Sequence, residues 1–99
     1  MRTLIIAAVL AVSAGTATAG PIERACLRSD RDGVNPRVCG CIQQVANRWL
    51  DASDQRLAAG FFRDPDQAQA IRASDTPEHD AFWQRYTSFG SSAAAACMR

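Results

Sequence analysis

The sequence predicts an all-α fold: a small compact bundle of four to five short helices, stapled by two disulfides and preceded by a cleaved signal peptide. Apolar residues recur at intervals of three and four, as on one face of a helix, and no segment alternates for long enough to indicate a strand. Capping residues directly precede prolines at three positions, and the four cysteines are an even set in an exported chain. We therefore expect short connections and a cross-linked bundle.

The N-terminal residues 1–19 have the three parts of a secretory signal peptide. Arg2 supplies a positive start, residues 4–12 are apolar, and Ala17-Thr18-Ala19 offers the small residues that a signal peptidase needs. The apolar run is shorter than the roughly 20 residues that span a bilayer. We expect cleavage after Ala19, with no stable membrane span afterwards.

The remaining residues, 20–99, are expected to form a single disulfide-stapled helical domain in the periplasm or outside the cell. Without Arg2 this domain has ten arginines, no lysine and ten acidic residues, so its charge is nearly balanced. Nucleic-acid binding needs a clustered basic excess, and we expect no nucleic-acid partner.

The first two helices are predicted from their start signals and spacing. A short helix is expected near residues 22–27, and Asn35-Pro36 starts a second that runs to Leu50. The apolar stripe of the second helix contains Val38, Cys41, Ile42, Val45 and Trp49. This stripe is expected to face the core.

Two further short helices follow. Ser53-Asp54 starts one that reaches Phe62, with Asp54 favourably placed against the helix dipole. Asp64-Pro65 starts the next, which extends to residue 73, and Gln67 stands near the position of a capping-box partner.

Thr76-Pro77 starts the last helix. Its stripe contains Phe82, Tyr86, Phe89, Ala93 and Cys97. We expect the aromatic residues of these stripes to pack in the core and not to form a ligand-binding site. The same expectation applies to Trp49, Phe61 and Phe62.

The cysteines are expected to form structural disulfides. Cys39 and Cys41 flank Gly40 and point to nearly opposite sides of a helix, so they do not pair with each other. Cys41 lies on the apolar stripe of its helix and Cys97 on the apolar stripe of the last helix, so the two face a shared core. Cys39 points to the flank of its helix, where the first helix could lie. We favour Cys26–Cys39 and Cys41–Cys97, with the crossed pairing as the alternative; chain entropy assigns them roughly 3 and 4 kcal/mol.

The spacing Cys39-Gly40-Cys41 also suits thiol–disulfide exchange, which is the alternative in a different functional class. A neighbouring base and a thioredoxin-like strand–helix pattern are both missing from the sequence, and zinc ligands usually come in more than one close pair. His79 is the single histidine and stands at a helix start. We expect no catalytic residue, no metal and no cofactor.

Charged and aromatic residues in the second half of the chain are the candidate binding residues. They are Asp54, Arg56, Asp64, Arg72, Asp75, Trp83 and Arg85. The favoured interpretation is helix caps and surface ion pairs. The alternative is a site for a small cationic solute such as arginine, whose guanidinium would meet carboxylates while an aromatic ring stacks on it.

Several short motifs occur in one order along the chain. They are Cys26 with Ser29-Asp30-Arg31, Cys39-x-Cys41-Ile42-Gln43, Asp54-Gln55-Arg56, Phe61-Phe62-Arg63-Asp64-Pro65, Ala68-Gln69, Ser74-Asp75 and Phe82-Trp83-x-Arg85-Tyr86-x-x-Phe89-Gly90 before Cys97. With these motifs the chain resembles a family of small exported bacterial proteins of unknown mechanism, some of which are named arginine transporter. The resemblance implies a transport accessory role.

These observations favour a non-enzymatic binding or interaction domain. Its expected partner is another protein of the cell envelope, and a small cationic solute is the alternative partner.

Overall fold

The computed structural model describes residues 19–98, and this part of the chain folds into helices without a strand. In chain order the helices are α1 (Pro21–Arg28), α2 (Pro36–Trp49), α3 (Ala52–Arg63), α4 (Pro65–Ala73) and α5 (Pro77–Cys97). The predicted all-α class is therefore confirmed. The predicted signal peptide, apart from Ala19, lies outside the described residues.

Helix α2 is the central element of the bundle, because it packs against both α1 and α5. Helix α1 also packs against α3, and α4 contacts α3 and α5. The buried apolar side chains form one cluster: Ile22, Cys26, Val38, Cys39, Ile42, Val45, Ala46, Leu50, Ala58, Phe61, Phe82, Phe89, Ala93 and Cys97. Every helix except α4 contributes a buried residue, and α4 packs against the cluster with the half-buried Ala68 and Ile71.

Proline occupies the first turn of α1, α2, α4 and α5, where its missing N–H would have no intrahelical acceptor. Two of the predicted caps are confirmed. Asn35 Oδ1 accepts the backbone N–H of Val38 at 2.9 Å, and Thr76 Oγ1 accepts that of His79 at 3.3 Å. These bonds satisfy donors that the first helical turn leaves without a partner.

The predicted start of α4 at Asp64-Pro65 is correct although its cap differs, and the predicted start of α3 is wrong. Asp64 stands at the N-cap of α4, but its side chain makes no capping hydrogen bond; its backbone carbonyl accepts the N–H of Gln67 instead. Helix α3 begins at Ala52, and its cap is Asp51. Asp51 Oδ1 accepts the backbone N–H of Asp54 at 2.8 Å, so Ser53-Asp54 lies inside the first turn.

The predicted apolar stripes are correct for most positions and wrong at Trp49. Trp49 is 44% exposed, whereas the following residue, Leu50, is only 4% exposed. Helix α2 ends at Trp49, and the extended backbone of Leu50 turns its side chain into the core. On α5 the stripe is confirmed, since Phe82 and Phe89 are buried and Tyr86 is half-buried.

The two disulfides join Cys26 to Cys39 and Cys41 to Cys97, which is the favoured pairing. The first ties α1 to α2 across 13 residues, and the second ties α2 to α5 across 56. Cys39 is completely buried. The side of α2 to which it points, where the sequence predicted that α1 packs, is therefore part of the core. Cross-links of this kind stabilise a small bundle chiefly by restricting its unfolded chain.

Among residues 19–98, no helix combines the length and the apolar character that crossing a membrane requires.

Candidate functional site

Asp54 and Arg85, two of the candidate binding residues, form a two-pronged salt bridge. Arg85 Nε donates to Asp54 Oδ2 at 2.8 Å, and Arg85 Nη2 donates to Oδ1 at 3.0 Å. The Asp54 side chain is 8% exposed and the Arg85 side chain 44%. These hydrogen bonds raise the pKa of Arg85. Both carboxylate oxygens of Asp54 are therefore engaged by the protein's own guanidinium.

The remaining candidates do not gather around Asp54. Arg56, Asp64, Arg72 and Asp75 are exposed, while Trp83 is half-buried. Their places are the exposed side of α3 for Arg56, the α3–α4 junction for Asp64, and α4 with the following loop for Arg72 and Asp75. Trp83 packs against Tyr86, with ring centroids 5.3 Å apart. Two of the seven candidates thus form an ion pair, and the other five lie at separate positions.

An aromatic cluster links α3 to α5. Tyr86 meets Phe61 edge-on at 5.2 Å between ring centroids and stacks with Phe82 at 5.7 Å. Burial raises the pKa of the Tyr86 phenol, and the positive charge of Arg31 partly opposes this effect. Arg31 also lies over the ring of Phe62, 5.4 Å from its centroid. This cluster agrees with the core interpretation of these aromatic residues.

A buried amide network, which the sequence analysis missed, joins α1, α2 and α3. Gln43 Nε2 donates to Asn47 Oδ1 at 2.9 Å and to Gln55 Oε1 at 2.8 Å. Gln43 Oε1 accepts the backbone N–H of Glu23 at 2.9 Å, and Gln55 Nε2 donates to the Leu50 carbonyl at 3.1 Å. The paired amides satisfy their own buried groups and indicate a structural role.

Gly20 shows how closely the chain passes this network. An added Cβ at Gly20 would stand 2.4 Å from the side-chain carbonyl oxygen of Gln43. A larger residue there would displace the Gln43 amide, because the backbone just before α1 lies close to this side chain of α2.

A groove lies between α1 and α3 and has a volume of about 480 Å³. Arginines stand on both of its walls: Arg24 and Arg28 on α1, and Arg56 and Arg63 on α3. We call this feature the arginine groove.

Helical geometry explains why the arginines of each wall share a face. Residues four apart and seven apart return to the same side of a helix, and these are the spacings of Arg24 with Arg28 and of Arg56 with Arg63. Of these four arginines, only Arg56 was among the candidate binding residues predicted from the sequence. These two spacings were visible in the sequence, but nothing local indicated that α1 and α3 are neighbours.

The lining residues between the two arginine pairs, which we call the floor of the arginine groove, are partly apolar. Small residues, Ala25 on one wall and Ala59 and Gly60 on the other, leave room between the helices, and Phe62 adds an aromatic face. Asp30 is the single carboxylate in the lining. The groove thus presents four guanidiniums and one carboxylate around a short apolar floor.

The arginines of the groove are exposed and retain free hydrogen-bond donors. Across the described residues, none of the four forms an ion pair. Arg24 Nη1 donates to the backbone carbonyl of Ala19, which uses one of its five N–H groups. The groove is therefore equipped to receive negatively charged oxygens.

The cysteines and His79 take part in structural contacts. Cys26 and Cys39 are 1% and 0% exposed, and Cys41 is half-buried. His79 is also half-buried, and its Nδ1 lies 2.7 Å from Ser74 Oγ. Its side chain is therefore less exposed than its position at a helix start predicts. In the part of the chain that was searched, no set of three or more metal-ligating side chains is assembled.

Comparison of the chain with protein families, curated proteins and solved structures finds no match.

Proposed function

We propose that this protein is a non-enzymatic binding domain that works outside the cytoplasm and holds a negatively charged partner in the arginine groove. One observation carries the proposal: four arginines from two helices line a single groove with only one carboxylate among them. Guanidinium groups offer planar pairs of N–H donors that match carboxylate and phosphate oxygens. An anion would also relieve the mutual repulsion of the four positive charges.

The disulfides support a preformed site. Cys26 lies between Arg24 and Arg28 in α1, and its bond to the buried Cys39 holds α1 against α2. The arginines of α1 therefore project from a helix that cannot move far. A site that is ordered before binding loses less conformational entropy when a partner arrives.

The disulfides also support a location outside the cytoplasm. Structural disulfides form and persist in oxidising compartments and are rare in the cytosol. The periplasm and the secreted space both fit this condition, as the predicted signal peptide does. If the partner is the envelope protein expected from the sequence, an acidic segment of that protein would contact the groove.

The other two functions have less support. A cationic solute such as arginine would need carboxylates that are free to receive it, but Asp54 is already bound by Arg85. The arginine groove would repel such a solute. Thiol–disulfide exchange through Cys39 and Cys41 would need both sulfurs to be accessible. Cys39 is completely buried, and the half-buried Cys41 is bonded to Cys97, which is buried.

The proposal is tested by isothermal titration calorimetry on the protein with both disulfides intact. The probes are inorganic pyrophosphate and tetraglutamate as anions and L-arginine as a cation. We expect at least one anion to bind and to bind more weakly as salt is raised. Failure of both anions to bind, or binding of arginine alone, would reject the proposal.

Two variants with the same change of charge locate the site. Arg56→Glu with Arg63→Glu reverses the α3 wall of the groove, and binding of the anion should be lost. Arg48→Glu with Arg72→Glu alters exposed arginines outside the groove lining and should retain most of the binding. Equal losses in the two double variants would place the anion elsewhere.

A further inference from the structure

We infer that the arginine groove binds a phosphoryl group carried by a compact molecule with an apolar body. This inference rests on the proposed function, because it names the chemical class of the anion at the same site. It depends on how many oxygens the arginines can share, on the size of the groove and on the chemistry of its floor.

The two arginine walls favour a phosphoryl group over a carboxylate. A carboxylate has two oxygens in one plane, which one guanidinium occupies in a two-pronged pair, as Arg85 does with Asp54. A terminal phosphoryl group has three acceptor oxygens directed to different sides and a charge near −2 at neutral pH. It can therefore accept hydrogen bonds from α1 and α3 at the same time.

The charge of the groove agrees with a multivalent anion. Four arginines and Asp30 give its lining a formal charge of +3. A phosphomonoester or a diphosphate carries enough negative charge to balance most of this excess, whereas one carboxylate leaves most of it unbalanced.

The size of the groove favours a compact ligand over a protein segment. Its volume, about 480 Å³, lies in the range of small-molecule sites. An α-helix with side chains is about 10–12 Å across, so one turn of about 5.4 Å occupies roughly 500 Å³, as much as the whole groove. An added β-strand needs a sheet edge, and residues 19–98 contain no strand.

The floor supplies contacts for an apolar body. Ala25 and Ala59 are small, and the half-buried Phe62 offers a ring face. A phosphoester with an aromatic or acyl substituent would place its phosphoryl group among the arginines and its apolar part on these residues.

A free phosphomonoester and the phosphomonoester headgroup of phosphatidic acid both present this chemistry, so the experiment has two arms. In the first, calorimetry measures binding of phenyl phosphate and pyrophosphate. In the second, co-sedimentation measures binding to phosphatidylcholine vesicles with and without phosphatidic acid. Binding in either arm supports a phosphoryl ligand, and the arm that responds identifies the free or the membrane-bound source.

Variants on both walls test whether the groove is responsible. Arg28→Gln with Arg56→Gln removes one guanidinium from each helix and should weaken phosphoryl binding at least about tenfold. The matched control, Arg48→Gln with Arg72→Gln, should change it less than about threefold, because screened charges outside the groove contribute little. Similar weakening in both double variants would indicate attraction by overall charge and would overturn the inference.

The outcomes separate this inference from the proposed function. If tetraglutamate binds in the groove while neither phenyl phosphate, pyrophosphate nor phosphatidic acid does, the phosphoryl inference fails and the proposed function stands. If no anion binds, both fail. Circular dichroism and disulfide mapping of every variant ensure that a loss of binding is not a loss of fold.

Discussion

Arg85 on α5 holds Asp54 on α3 by two hydrogen bonds of 2.8 and 3.0 Å, and this is the only ion pair among the described residues. The two residues are 31 positions apart in the sequence, and their salt bridge joins two different helices. The carboxylate is nearly buried, whereas the guanidinium is largely accessible. The two partners therefore differ in how much their loss costs.

We predict that Arg85→Met lowers the free energy of unfolding by about 1–2 kcal/mol, because it leaves the buried Asp54 carboxylate without a partner. Adding Asp54→Asn to Arg85→Met should recover part of that loss, since no unpaired charge remains. Urea unfolding of both single variants and the double variant measures the coupling. Additive losses in this cycle would mean that the salt bridge contributes nothing.

The two disulfides should differ in accessibility to reductant. Cys41 is half-buried, whereas Cys26 and Cys39 are almost completely buried. Because exchange requires attack on an accessible sulfur, mild reductant should open the Cys41–Cys97 bridge first. Alkylation followed by mass mapping at successive times measures the order, and denaturant provides the control by exposing both bridges. Earlier alkylation of Cys26 and Cys39 would contradict the prediction.

Gln43 is expected to be the most sensitive residue of the amide network. Gln43→Leu should lower the free energy of unfolding by about 1–3 kcal/mol, because it removes the partners of Glu23 N–H and of Gln55. The exposed neighbour provides the control, and Gln44→Leu should change stability by less than about 0.5 kcal/mol. Equal effects of the two variants in urea unfolding would show that the network is not stabilising.

Acid stability should depend on the cap of α3. Hydrogen bonds from the Asp54 backbone N–H and the Ser53 hydroxyl hold the pKa of Asp51 below its ordinary value of 3.8. Folding therefore favours the ionised form. The resulting stabilisation is present above about pH 4 and is lost as the pH falls through the lowered pKa of the folded state.

Asp51→Asn tests this dependence because it keeps an acceptor oxygen for the Asp54 N–H and removes the titration. Its stability should fall less steeply than that of the unmodified protein below about pH 4, as measured by urea unfolding over a range of pH. Ser53→Ala removes one of the two hydrogen bonds to Asp51 but keeps the carboxylate, so it should retain more of the original slope than Asp51→Asn does. A slope unchanged by Asp51→Asn would contradict the prediction.

The helices were predictable because their signals are local. Asn35-Pro36 and Thr76-Pro77 combine a cap with a residue suited to the first turn, and both start helices in the structure. The start of α3 was misplaced because Asp51 and Ser53 are both capping residue types, and only the backbone shows which side chain accepts the Asp54 N–H. Trp49 was misassigned because helical spacing does not indicate where the helix ends.

The candidate site was less predictable than the fold. Asp54 and Arg85 were both selected as candidates, yet their pairing depends on the contact of α3 with α5 through the aromatic cluster. Arg24, Arg28 and Arg63 were not selected, although their spacing with Arg56 puts them on common faces.

The sequence by itself determined the helical class, most helix starts and the favoured disulfide partners, because capping, apolar period and cysteine direction act over a few residues. Only the tertiary structure decided which faces meet. Packing α1 against α3 brings two arginine pairs, separated by about 30 residues of chain, to one groove. No local pattern indicates that α1 and α3 are neighbours in space. They become neighbours because Ile22, Cys26 and Phe61 are buried in the same core.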